Sequence, residues 1–175
     1  MLFTYYFCHM ITIVVGTNRP GSRSMQIALH YKAVCQEQGI ATKILSLEHH
    51  NVTVRDEAFV QLEEEYLLQA ERLIIIAPEY NGGMPGILKL MIDNTDVRTV
   101  WPDKKIALVG VSSGRAGNLR GIDQLQNIFS YLKSKVYYGT LPISVVHQLL
   151  DEHGHLVDEP TQKVIAQQVQ NFNQF

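Results

Sequence analysis

The chain has 175 residues, of which 46% are hydrophobic and 18% charged, so it can bury a core and is too apolar for a disordered or low-complexity chain. Its net charge is −2 with a pI near 6.4, which excludes a general nucleic-acid binder, since that needs a basic excess along a phosphate backbone. No apolar run reaches membrane-spanning length, and Cys8 and Cys35 lack CxxC spacing and read as reduced thiols of a cytoplasmic protein.

Residues 1–9 are apolar but lack the positive n-region and small-residue cleavage site of a signal peptide. They read as an N-terminal extension, with residues 10–175 as one domain. Met10-Ile-Thr-Ile-Val-Val15 is a short β-branched run suited to a strand buried on both faces. Residues 23–38 follow at helical period and end at Gly39. Thr42-Lys-Ile-Leu-Ser-Leu47 alternates as a strand. A helix is predicted over 56–70, with Phe59, Leu62 and Tyr66 on one face and Glu63, Glu64 and Glu65 on its solvated side. Leu73-Ile-Ile-Ile-Ala77 is the strongest buried-strand signal, stopped by Pro78. Pro85 can open the next helix, where its missing N–H is harmless. Residues 105–111 form another central strand, and 117–133 another helix. The last strand region, 136–146, is interrupted by Gly139 and Pro142. Asp158 is a candidate N-cap for a final helix over 159–172.

This alternation of strands and helices predicts an α/β three-layer sandwich: a mostly parallel sheet with helices on both faces. Ligands of such sheets bind beyond the carboxyl ends of the strands. Three loops lie there. The first, Gly16-Thr-Asn-Arg-Pro-Gly-Ser-Arg-Ser24, offers hydroxyls, guanidinium groups and free amides at a helix start, which together make an anion cradle. An ordinary polar turn with Ser24 capping the helix is the alternative. The spacing Gly16-x-x-x-x-Gly21 opens like a Walker A loop but lacks its lysine, and Asn18 replaces the second glycine of the dinucleotide fingerprint. One terminal monophosphate fits better. The second loop, Pro78-Glu-Tyr-Asn-Gly-Gly-Met-Pro85, sets an aromatic, an amide and a carboxylate beside two glycines that permit close approach of a flat ligand. A surface turn is the alternative for its Asn-Gly. The third, Ser112-Ser-Gly-Arg-Ala-Gly-Asn-Leu-Arg120, brings more glycine, hydroxyl and amide to a neighbouring strand end.

These three loops, and above all Pro-Glu-Tyr-Asn-Gly followed by Pro-Gly-Ile-Leu-Lys, resemble the NADPH-dependent FMN reductase family, which includes azo-, quinone- and chromate-reducing flavoproteins. The resemblance runs over about residues 10–172. It implies a flavodoxin-like fold, with a five-stranded parallel sheet of order 2-1-3-4-5, FMN as cofactor and NADPH or NADH as co-substrate. It also implies assembly as a homodimer or homotetramer. By position it implies that Thr17, Arg19, Ser22 and Ser24 hold the FMN phosphate. Pro78, Glu79, Tyr80, Asn81 and Gly82 would lie along the isoalloxazine ring, with Ser112, Ser113 and Gly114 on its other side.

The expected function is therefore an FMN-dependent NAD(P)H oxidoreductase. Hydride passes from NAD(P)H to FMN and then to a small acceptor, such as a quinone, azo compound or free flavin, by ping-pong exchange. Because the cofactor performs the chemistry, no catalytic residue is assigned. A flavin-binding electron carrier or redox-sensing protein is the alternative, and a phosphohydrolase is disfavoured by the missing lysine. No metal site is expected: His49-His50 and His153-Gly-His155 are close in sequence but lack a ligand set. No nucleic acid or membrane is expected as partner.

Overall fold

The computed structural model describes residues 10–175; the extension read over 1–9, with Cys8, lies outside the described residues. Strands β1 (Ile11–Val15), β2 (Thr42–Ser46), β3 (Arg72–Pro78), β4 (Lys105–Val111) and β5 (Lys135–Val136) lie in the order β2-β1-β3-β4-β5, and every pairing is parallel. This is the predicted order. Helices α1 (Arg23–Glu37) and α5 (Glu159–Gln174) cover one face; α2 (Glu57–Leu62), α3 (Gly86–Asn94) and α4 (Leu119–Tyr131) cover the other.

The central strands read as unbroken apolar runs because both faces are covered. Ile11, Ile13 and Val15 pack with Ile27, Tyr31, Ile165 and Phe172, whereas Val14 packs with Leu88, Met91 and Phe129. Two distinct cores flank one sheet, and no helix among the described residues is long and apolar enough to cross a membrane.

Helix starts follow local chemistry. Ser22 is extended and its Oγ accepts the Met25 N–H at 3.2 Å, so Ser22 rather than Ser24 caps α1. Ser24 is thereby left inside the first turn, with its hydroxyl free of capping. Asp158 caps α5 as predicted, accepting the Thr161 N–H at 3.0 Å.

Two elements differ from expectation. The helix read over 56–70 is α-helical only to Leu62 and then π-helical over Glu63–Leu68. Glu63 is buried, not solvated: its carboxylate takes two hydrogen bonds from Arg55, at 2.7 and 2.9 Å, and one from the Asp96 N–H at 2.8 Å. Leu62, Glu63 and Leu67 are all buried, and the wider turn brings positions five apart onto one face. The last strand region is split into β5 and β6 (Leu141–Ile143), both of which pair with β4. Pro142 lacks an N–H and can sit in this outermost strand only because its unpaired side meets no neighbour.

Candidate functional site

The carboxyl ends of β1, β3 and β4 meet at one end of the sheet, and the three loops enclose a cleft of about 490 Å³ there. That volume is in the range of small-molecule sites. Its lining includes Arg19, Ser22 and Ser24 from the first loop, Pro78, Glu79 and Tyr80 from the second, and Ser112 and Ser113 from the third. Four other expected residues, Thr17, Asn81, Gly82 and Gly114, do not line it.

In the first loop, the Gly16 N–H donates to Ile76 O at 2.9 Å, extending the sheet ladder past β1. A Cβ on Gly16 would stand 2.8 Å from Leu88 Cδ2 and 3.3 Å from Ile76 O, so a larger residue here would make the Leu88 side chain shift where the loop leaves the sheet over α3. Thr17 is fully buried beneath the cleft. Its Oγ1 lies 2.6 Å from the Tyr80 hydroxyl and accepts the Arg19 N–H at 3.2 Å. The Arg19 guanidinium sits 4.1 Å from the centre of the Tyr80 ring. Arg23 reaches across the cleft and donates to Ser113 Oγ at 3.3 Å. Ser24 is 1% exposed, and its Oγ is buried with no hydrogen-bond partner.

The second loop is a tight reversal. Tyr80 and Gly83 exchange both backbone hydrogen bonds, at 2.9 and 3.1 Å, around Asn81 (φ 53°) and Gly82 (φ 76°). Two consecutive positive φ values are what a mirror-image two-residue turn demands, and Asn-Gly is its preferred pair. Asn81 therefore forms an exposed tip, while Pro78, Glu79 and Tyr80 remain on the cleft wall. From α4, Gln124 Oε1 accepts the Met84 N–H at 3.0 Å and steadies the far side of the turn.

The third loop is shaped by Ser112, whose hydroxyl donates to Gly114 O at 2.9 Å and accepts the Gly117 N–H at 3.0 Å. Asn118 is buried, and its Nδ2 donates to Ala77 O at 2.9 Å and Pro78 O at 3.1 Å. The root of α4 thus carries the start of the second loop. The segment after β6 returns to this loop: the Val145 N–H donates to Gly114 O and the Val146 N–H to Ser112 O. Val145 takes φ 45°, a costly value for a β-branched residue. That backbone places Val146 on the cleft wall.

Gln26, Val111 and Val146 also line the cleft and escape a sequence reading. Gln26 stands four residues after Ser22, hence on the same helix face, and Val111 ends β4; periodicity could have found both. Nothing local marks Val146. His147 is exposed, and His153 and His155 sit in an exposed turn whose backbone N–H groups both donate to Asp151. Among the described residues no group of three His, Cys, Asp or Glu is placed to hold a metal. The Cys35 thiol is buried, and burial pushes it up to about 12.

Comparison with known proteins agrees with this fold. The sequence model of the NADPH-dependent FMN reductase family matches residues 10–148. The chain is 30% identical over 107 residues to a 2-hydroxy-1,4-benzoquinone reductase of a Burkholderia species, covering 58% of each. It is also 30% identical over 114 residues to an NAD(P)H-dependent FMN reductase of Pseudomonas aeruginosa, covering 63% of this chain and 62% of that one. The chain therefore spans about three fifths of these curated relatives. In structure it resembles the flavoenzyme NAD(P)H:(acceptor) oxidoreductase FerB from Paracoccus denitrificans, with a TM-score of 0.74 and 20% identity over 94% of both chains; at that identity the likeness carries the fold alone. Sequence match, strand order and the placement of the three loops lead to one family: the chain belongs to the NADPH-dependent FMN reductases.

Proposed function

We propose that this protein is an FMN-dependent NAD(P)H oxidoreductase that passes hydride from NAD(P)H through FMN to a small acceptor by ping-pong exchange. Quinones, azo compounds and free flavin are the acceptor classes. The observation that carries the reading is Ser24, a hydroxyl-bearing wall residue whose buried Oγ has no partner, beside two arginines at the start of α1. An unpartnered buried hydroxyl costs about 1–3 kcal/mol, and a phosphate oxygen would satisfy it.

The donor set fits a phosphate dianion. Ser22, Ser24, Arg19 and Arg23 all line the cleft, and the first amides of α1 add the positive end of the helix dipole. FMN, when bound, supplies the two-electron exchange between nicotinamide and acceptor. The protein's part is to hold and orient. Pro78, Glu79 and Tyr80 border one side of the ring space, and Ser112 and Ser113 the other. The N–H groups of Glu79, Tyr80 and Ser112 already donate to Val111, Gly83 and Ile143 carbonyl oxygens. The main-chain N–H groups of Asn81, Gly82, Ser113 and Gly114 make no such bond, and of these four residues only Ser113 lines the cleft, so its N–H is the donor left to favour a more negative ring. Assembly as a homodimer or homotetramer and a cytoplasmic location belong to the same proposal, and light scattering of the purified protein tests the first.

The test is a titration of the purified protein with FMN, followed by steady-state NADPH oxidation with a quinone. Saturable binding and turnover are expected. Absence of binding sinks the reading; binding without turnover leaves an electron carrier in its place.

A further inference from the structure

A tyrosine beside two glycines at a strand end is expected to lie along a flat ligand. Here the ring of Tyr80 is held by the first loop. Its hydroxyl lies 2.6 Å from Thr17 Oγ1, and one face carries the Arg19 guanidinium at 4.1 Å. Its backbone is fixed by the two-residue turn at Asn81-Gly82. Thr17 is held as firmly: its own N–H donates to Val15 O at 2.9 Å, it is 0% exposed, and its Oγ1 also accepts the Arg19 N–H. Thr17, unlike Ser24, is absent from the lining of the cleft.

We propose that Thr17 and Tyr80 are positioning residues that form a strut between the phosphate loop and the ring loop, holding Arg19 ready for the phosphate. This rests on the FMN reading of the cleft. Arg19 is exposed and makes no ion pair among the described residues, so a long flexible side chain would otherwise wander. The strut constrains it twice, through the backbone N–H at Thr17 and through the guanidinium over the ring, whose plane is set by the hydroxyl bond. Arranging a charged group before the ligand arrives raises affinity by removing the ordering cost at binding. One partly buried bond between residues 63 positions apart thus governs affinity for the phosphate, not for the ring.

The experiment measures FMN and riboflavin dissociation constants by flavin fluorescence quenching. It uses the full chain and its Thr17→Val, Thr17→Ser, Tyr80→Phe, Tyr80→Leu and Thr17→Val/Tyr80→Phe variants. Tyr80→Phe, which loses the one shared hydrogen bond, should weaken FMN roughly three- to tenfold, and Thr17→Val, which also loses the bond from the Arg19 N–H, at least as much, while riboflavin, which has no phosphate, changes less than about twofold. The double variant should be no weaker than the worse single, because both break the same bond. Thr17→Ser should restore affinity, and Tyr80→Leu, which also removes the ring face from Arg19, should lose more than Tyr80→Phe. Multiplied losses in the double variant, equal losses for FMN and riboflavin, or unchanged FMN affinity would each overturn the strut. Should Thr17→Val fail to fold, Tyr80→Phe removes a single oxygen and must still separate FMN from riboflavin. A wild-type chain that binds no FMN overturns the functional reading as well, which distinguishes the two failures.

Discussion

A buried hydroxyl without an acceptor weakens a fold, and Ser24 Oγ is such a group. Ser24→Ala should therefore leave the melting temperature of the flavin-free protein unchanged or slightly higher. The same change should weaken FMN about tenfold, or about 1.4 kcal/mol, by removing one charge-assisted bond. Melts with and without FMN measure both; a destabilised variant with full FMN affinity would contradict the assignment. Gly110 makes the opposite case. A Cβ there would stand 2.0 Å from Gly117 O and 3.0 Å from Asn118 Cβ, so Gly110→Ala should cost about 3 kcal/mol or more in urea unfolding, because the obstacle is backbone. Residue types at strand ends made most of the cleft lining legible: hydroxyls, arginines and an aromatic stand where they were expected. Thr17 was legible as a loop member but not as a buried one, since its partner Tyr80 lies on another strand's loop. The Asn-Gly pair carried two readings, ligand contact and turn tip, and the backbone φ values show the turn.

At the level of elements, the π-helical stretch shows how a single buried charge can reset a helix. Arg55 is bound to Glu63 and to Asn94 O at 2.9 Å, and Glu63 also holds the Asp96 N–H, so this pair ties the stretch to the end of α3. Arg55→Ala would leave the Glu63 carboxylate inside with only that N–H. It should destabilise the protein by about 3 kcal/mol in chemical denaturation, with Arg55→Lys recovering part of the loss because it restores charge without the bidentate fork. A loss below about 0.5 kcal/mol would mean the pair behaves like a surface ion pair. Three consecutive glutamates look like a solvated helix face in sequence. The burial of the first was illegible because its partners stand 8 and 33 residues away. By contrast, β4 occupies the very span read from its apolar run, since a strand covered on both faces announces itself without long-range information.

For the molecule as a whole, acid stability has two windows. Burial lowers the His30 pKa, with Glu37 partly opposing it, and burial together with His49 lowers that of His50. The unfolded chain takes up these protons near 6.5 while the folded one resists. Their contribution is thus fully present above that pH and is lost as pH falls through the lower folded values. His30→Gln should flatten part of the stability decline below pH 6.5, leaving the His50 share; an unchanged slope in urea midpoints would contradict this. Hydrogen bonds from Thr161 lower Asp158, and those from His155 and His153 lower Asp151. Those carboxylates support the fold above 3.8 and cease to do so as they protonate in stronger acid. The parallel pairing was legible because each parallel pair needs a helical crossover, and the alternation of periods shows one after another; the strand order came with the family resemblance. The broken last strand was legible only as an interruption at Gly139 and Pro142. That break has its own consequence. An unpaired strand rim is a template on which foreign chains can zip into aggregates. On this rim the ladder stops after two residues at Val136, resumes for three, and includes a proline with no donor to offer. A visiting strand finds no continuous seam to grow along, so this flank of the sheet resists polymerisation without a covering helix.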